Sequence, residues 1–472
     1  MLDRENAAVL EVTPFQAIRY DFSKSRDLST RIAPPYDVLD EADKAALLAR
    51  SDHNIVAIDL PHVPPKSAGP AEAYRRAAET LNAWLADGTL VREPRPAIYL
   101  YLQVFRYAGR TYTRKKFIAR VRLCRFDEGV VLPHEQTFGG PKEDRLALMK
   151  ATKCNLSAIF GLYADPEGEI DAAFAATAAR HPDAFGTMEE VENKLWIVDD
   201  PTTIKAVTSA MSQRQVFIAD GHHRYGTALM YRDWLAEQQG GAAAGSSGGS
   251  LPLGHPANYV MFVLASMDDP GCLIWPYHRA LAGIGLDALL AAWKDGCATC
   301  AESHADLTLV DRAGRRQGVR FTNRAVLAKL APDECEAWRK LDTAYLHRYL
   351  IDELLHGNGG AGASGAARAA GSGGAGTSAS RSTGDGATAT AGGAAAGAAL
   401  STGGGKSPAV RFVKSEKAAL ETARSENGVA LLVRATPMAH LKAVSVAGGL
   451  MPQKTTYFYP KLVTGLTINP LE

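Results

Sequence analysis

The chain is poor in cysteine, has almost no charge imbalance and contains no long apolar run. Six Cys in 472 residues are too few for a disulfide scaffold and fit a reducing compartment. Lys and Arg total 52 against 51 Asp and Glu, a formal net charge of +1. Nothing electrostatic therefore marks a surface for nucleic acid or an anionic membrane. No stretch approaches the roughly 18 apolar residues of a membrane-spanning helix. The opening residues, MLDRENAAVLEV, lack a basic start followed by an apolar core, so no signal peptide is expected. The expectation is a cytoplasmic protein without nucleic-acid or membrane partners.

What is present is a globular composition, 46% hydrophobic, in a length that suits two or three domains. Glycine is unevenly placed: Gly357 to Gly405 holds 17 Gly and 16 Ala. Such a segment buries too little apolar area to offset its ordering entropy. The chain divides into an N-terminal α/β region (1–130), a central region (131–356), a Gly/Ala-rich insertion expected to be disordered (357–408), and C-terminal strands (409–472) expected to pack back on the central region. A second short glycine-rich loop is expected at 240–250. AIYLYLQVFRYAGRTYTRKKFIARVRL reads as a β-hairpin turning at Ala108-Gly109. AYRRAAETLNAWLADGTL reads as a helix stopping at Gly88, and CEAWRKLDTAYLHRYLIDELL as a second helix. Long hairpins mixed with helices predict an α+β fold with mixed or antiparallel sheets and flanking helices.

The sharpest local pattern is QVFIADGHHRYGTALMYRDW. An apolar strand ends at Asp220-Gly221, and a helix begins among His222, His223, Arg224 and Tyr225. First-turn amides have no intrahelical acceptor and the helix dipole favours an anion. A guanidinium adds bidentate phosphate contacts, and Gly221 permits a tight turn. The segment predicts a phosphate site, although Asp220 would also serve as a plain helix cap. A second constellation, VLPHEQTFGGPKEDRL, gathers His134, Glu135, Thr137, Lys142, Asp144 and Arg145. Glu135 beside a phosphate suits a general base or a Mg²⁺ ligand. Lys142 and Arg145 suit neutralisation of phosphoryl charge, with Thr137 as a further contact. The turn residues Tyr36 and Asp37, and Lys454, Thr455 and Thr456 near the C-terminus, are candidate pocket residues. Gly405-Lys406-Ser407 lacks the glycine and strand of a phosphate-binding loop. Cys297-Ala298-Thr299-Cys300 lacks a second ligand pair for zinc.

The motifs APPYDV, LPHEQTFGGPKEDRL, NLSAIFGLY, IADGHHRYGTAL and MPQKTTYFYPKLVTGL occur in this order. Together they resemble a widespread prokaryotic family labelled as a domain of unknown function, from about Pro14 to about Leu466. The DGHHR segment also resembles the ParB–sulfiredoxin superfamily, in which this turn and helix grip nucleotide phosphates. Its free-serine kinase branch has a PHE-type motif whose glutamate is the catalytic base, matched here by Pro133-His134-Glu135. The resemblance implies phosphoryl chemistry on a small hydroxyl compound such as serine or phosphoserine, with ATP or ADP and Mg²⁺ as cofactors. It implies Glu135, Asp220 and His222 as catalytic residues, with Asp220 a possible Mg²⁺ ligand. Gly221, His223 and Arg224 would hold phosphate. No Cys stands beside the turn, which excludes sulfiredoxin chemistry. A nucleotide hydrolase and a nucleotide-sensing module without turnover remain as alternatives.

Overall fold

The computed structural model describes residues 9–64, 68–135, 140–240, 250–357 and 408–472. Thr137, residues 241–249 and nearly all of the Gly/Ala-rich insertion lie outside the described residues. The chain divides into two compact units. The first comprises Met1–Trp275, Cys335–Trp338 and Ala435–Glu472, and the second Pro276–Glu334 and Arg339–Arg434.

Nine strands of the described residues build the main sheet of the first unit. They are β1 (Val12–Thr13), β2 (Ile98–Tyr107), β3 (Arg110–Arg122), β4 (Val131–Leu132), β5 (Ile159–Tyr163), β6 (Ala184–Met188), β7 (Val191–Val198), β8 (Val216–Asp220) and β9 (Tyr259–Ser266). Their order is β4-β8-β5-β9-β3-β2-β7-β6, with β1 also on β3. The β4–β8 and β5–β9 pairs are parallel, and the other pairs are antiparallel. The long hairpin β2–β3 turns through Ala108 and Gly109, both at positive φ (48° and 77°), the geometry that matches strand twist in a two-residue loop. Phe117, Val121, Ile159, Ile218, Phe262 and their neighbours form the main core. Val216 and Ile218 root β8 in this core, with Asp220 at the strand's end.

Four helices bear on the site: α1 (Val56–Asp59), α2 (Ala71–Ala86), α3 (Gly140–Thr152) and α4 (His222–Gly240). Helix α2 runs to Ala86 and is followed by Gly88 at φ 71°. Helix α3 packs against both α2 and α4. Near the C-terminus, Tyr457–Tyr459 pairs antiparallel with Leu273–Trp275.

The second unit holds a six-stranded sheet. Its strands are β10 (His278–Leu281), β11 (Cys297–Cys300), β12 (Leu307–Asp311), β13 (Arg316–Phe321), β14 (Val410–Val413) and β15 (Val429–Val433), in the order β11-β13-β12-β15-β10-β14. Helix Glu416–Ser425, capped by Ser415, covers it through Ala419 and Ala423. The single helix expected around 335–355 is broken. Glu336–Arg339 and Asp342–Ala344 are separate short turns, followed by a π-type helix at Tyr345–Leu355. Leu341 is extended (φ −70°, ψ 133°), and the chain passes from the first unit to the second just before it. No helix of the described residues is long and apolar enough to cross a membrane.

Candidate functional site

Strand β8 delivers the site's central carboxylate. Its register against β5 shifts between Ile218 and Asp220, and Gly221 then turns the chain at φ 96°. A side chain here would be strained, and its Cβ would lie 2.9 Å from Arg224 Nε and 3.0 Å from Cζ. Glycine therefore lets the guanidinium fold back over the turn. Tyr225 N donates to Gly221 O at 3.0 Å, the first bond of the helix, so the amides of His222 and Arg224 are not used within α4.

The Asp220 carboxylate is held by two cations. Lys461 Nζ lies 3.1 Å from Oδ2, and Arg224 Nη2 3.7 Å from the same oxygen. Burial pushes the Asp220 carboxyl up, but Lys461 and Arg224 more than offset it and hold it well below the usual carboxylate range. Arg224 Nη1 also donates to the Ala158 carbonyl. Lys461 rides 4.8 Å over the Tyr457 ring. Its own main chain is anchored from the hairpin. Gln103 Nε2 donates to Lys461 O at 3.0 Å, and Arg114 donates to the carbonyls of Tyr459 and Pro460.

The His134-Glu135 segment meets the turn directly. His134 N donates to His222 Nε2 at 3.2 Å, and His134 O accepts from Met451 N at 2.7 Å. A backbone N–H only donates, so His222 Nε2 carries no proton and the ring is neutral with its proton on Nδ1. Burial, followed by the neighbouring His134, holds the His222 imidazole well below its ordinary value. The His134 ring has Nδ1 2.6 Å from Ile218 O and Nε2 2.9 Å from Thr456 Oγ1. The carbonyl only accepts, so Nδ1 carries a proton, and Nε2 shares a hydrogen bond with the Thr456 hydroxyl. Glu135 extends past this pair, its carboxylate 3.8 Å from His134 Nε2 and its side chain 31% exposed.

The remaining candidates separate into three groups. Lys142, in the first turn of α3, lies across α4: a Cβ on Gly226 would sit 3.1 Å from Lys142 Cε. Burial lowers the Lys142 ammonium, and no carboxylate of the described residues pairs with it. His223 heads α4 beside His222, its carbonyl accepting from Thr227 Oγ1 at 2.8 Å. Arg145 is engaged by its own partners. It is buried, bonded to the Asp144 carboxylate and the Asp59 carbonyl, and stacked 4.0 Å over Tyr36. Burial lowers the Lys461 ammonium, but Asp220 and then the exposed Asp37 more than offset it and raise it. Lys454 is exposed in a left-handed turn (φ 55°) and Thr455 bonds the Pro452 carbonyl. The residues of that motif that reach the site are Thr456 and Lys461. Cys297 and Cys300 lie on β11, paired with β13.

Lys461, Asp59 and Ser157 were not legible as site residues. The signal was a lone charge in an apolar run, Lys461 in YFYPKLV and Asp59 in IVAIDLP. Asp59 is fully buried, accepts from Ser157 Oγ, and has its carboxyl pushed up by burial against the opposing pull of Arg145.

The Asp220 carboxylate already faces two cations, Lys461 and Arg224, and by itself offers little to a Mg²⁺ ion. The phosphate groups of a nucleotide fit better, because the first turn of α4, Arg224 and Lys142 offer donors and positive charge.

Solved structures similar to this chain include the following three. A mutant free serine kinase in complex with ADP is 11% identical, with a TM-score of 0.31, covering 74% of this chain and 92% of that one. SbnI with a C-terminal truncation, from Staphylococcus aureus, is 10% identical, with a TM-score of 0.33, covering 75% and 87%. A conserved hypothetical protein from Pyrococcus furiosus is 12% identical, with a TM-score of 0.30, covering 74% and 94%. No curated protein sequence matches the chain. The model of the family described as "Protein of unknown function (DUF1015)" matches residues 12–344, and the chain belongs to that family.

Proposed function

We propose that the protein transfers a phosphoryl group to or from a small hydroxyl compound, serine or phosphoserine, with a nucleotide or phosphate seated at the start of α4. One observation carries the reading: the 3.2 Å bond from His134 N to His222 Nε2, which joins the segment carrying Glu135 to the phosphate-type turn. The first-turn amides, Arg224 and Lys142 hold the phosphoryl oxygens. Asp220 fixes Lys461 and Arg224. Glu135 takes the proton of the acceptor hydroxyl as the new O–P bond forms and the bond to the leaving oxygen breaks. Neutral His222 positions the Glu135 segment and does not carry phosphoryl charge.

A positioned base contributes about 10²–10⁴-fold. Glu135→Gln is therefore expected to lower kcat by that order in an ATP-plus-serine or phosphoserine assay, with ADP affinity by calorimetry little changed. Equal loss of turnover and ADP binding would reassign Glu135 to binding. Phosphate release independent of serine would make the protein a nucleotide hydrolase, and saturable ADP binding without product a sensor.

A further inference from the structure

Arg224 also borders a narrow cavity of about 30 Å³, room for a small polar head group and little more. Its polar wall includes Tyr36, Asp59 and Ser157. Tyr36 is 5% exposed and Asp59 3%, so both are polar groups taken out of water at the edge of an internal space. The Asp59 carboxylate is poorly satisfied. Both oxygens lie 2.8 Å from the one Ser157 hydroxyl, which has a single proton to give. Arg145 does not make up the difference: its Nη1 is 3.7 Å from Oδ1 and donates to the Asp59 carbonyl at 2.6 Å. An ionised carboxylate has about four acceptor sites, and among the described residues this one is given one donor. The Tyr36 hydroxyl, on the same cavity, makes no hydrogen bond among the described residues.

We infer that this cavity receives the amine end of the small hydroxyl substrate, with Asp59 accepting from a primary ammonium group beside the Tyr36 hydroxyl. An ammonium supplies three donors, where a neutral hydroxyl supplies one. The cavity is too narrow for a nucleotide, so this end of the site is separate from the phosphate turn, and Arg224 is the residue common to both. The inference rests on the phosphoryl-transfer reading for the identity of the substrate's other end.

The test is calorimetric titration of the full-length chain, with ADP present, against ethanolamine, L-serine, ethylene glycol and 3-hydroxypropionate. The two amines are expected to bind at least about tenfold tighter than the two compounds lacking one, the ratio that a charge-assisted hydrogen bond sustains. Asp59→Asn, which keeps the shape and the Ser157 contact, is expected to bring the ratio close to one. Equal binding of all four, binding of no amine, or undiminished amine preference in Asp59→Asn overturns the inference. If that variant does not fold, the four-compound comparison on the native chain decides alone. ADP is titrated separately. Amine selectivity without ADP binding would overturn the phosphoryl-transfer reading, whereas ADP binding without amine selectivity would overturn only this inference.

Discussion

His222 heads a helix that begins beside an Asp, an Arg and a Lys, yet its own ring is neutral. The reason is geometric: the His134 amide needs an acceptor, and His222 Nε2 at 3.2 Å provides it. Burial opposes the imidazolium further. A histidine with a depressed value contributes stability that is complete above its unfolded pKa of about 6.5 and is lost as pH falls through the folded value. The unfolded chain takes up a proton there that the native site refuses, at up to about 1.4 kcal/mol per pH unit. His222→Gln retains an acceptor for the amide and removes the titration. Urea unfolding at about pH 7, 6 and 5 is expected to show a shallower loss of stability in the variant. Identical slopes would mean that the native ring charges freely. The sequence alone put His222 among the expected catalytic residues, without indicating the charge its ring carries. The partner that neutralises it lies 88 residues away in sequence and leaves no local trace.

At the scale of single elements, the hairpin β2–β3 does more than supply two strands. It carries Gln103, Arg114 and Lys116, all buried, and Gln103 Oε1 accepts from both cations. Burial, then the nearby Arg114 charge, holds the Lys116 ammonium well below its ordinary value, and the amine lies 3.8 Å over Tyr101. This ladder grips the carbonyls of residues 459–461 and so places Lys461 on Asp220. Gln103→Leu is expected to cost about 1–3 kcal/mol, since it removes an acceptor shared by two buried cations. Lys116→Met is expected to cost clearly less, because a depressed lysine gives up little charge when replaced. Denaturant unfolding of both variants checks the order; equal costs would show that Lys116 is a full cation in the fold. The hairpin itself was readable, down to its Ala108-Gly109 turn, since alternation and turn chemistry are local. The helix expected around 335–355 was not, because its break comes where the chain leaves one unit for the other.

At the scale of the whole molecule, the first unit is assembled from three stretches of chain, and the last of them, Ala435–Glu472, brings Thr456 and Lys461 to the site. The ends that flank residues 358–407 are close together, His356 Nε2 lying 3.2 Å from Pro408 O in the second unit. Replacing 358–407 by a few glycines is therefore expected to leave thermal stability and ADP affinity unchanged, as loop-length costs grow slowly. A large drop in either would give that segment a part in the fold or the site.

The sequence by itself determined the mixed α+β class, the strand–turn–helix around Asp220-Gly221 and the presence of an acidic group in the PHE segment. These depend on neighbours a few residues away, through backbone periodicity and turn sterics. Only the tertiary structure decided that His134 binds His222, that Lys461 pairs with Asp220 where Lys454 does not, and that Asp59 faces a cavity with Ser157 and Tyr36. Those facts depend on which distant segments share a buried volume, where desolvation makes each partner count and where no local pattern records the choice.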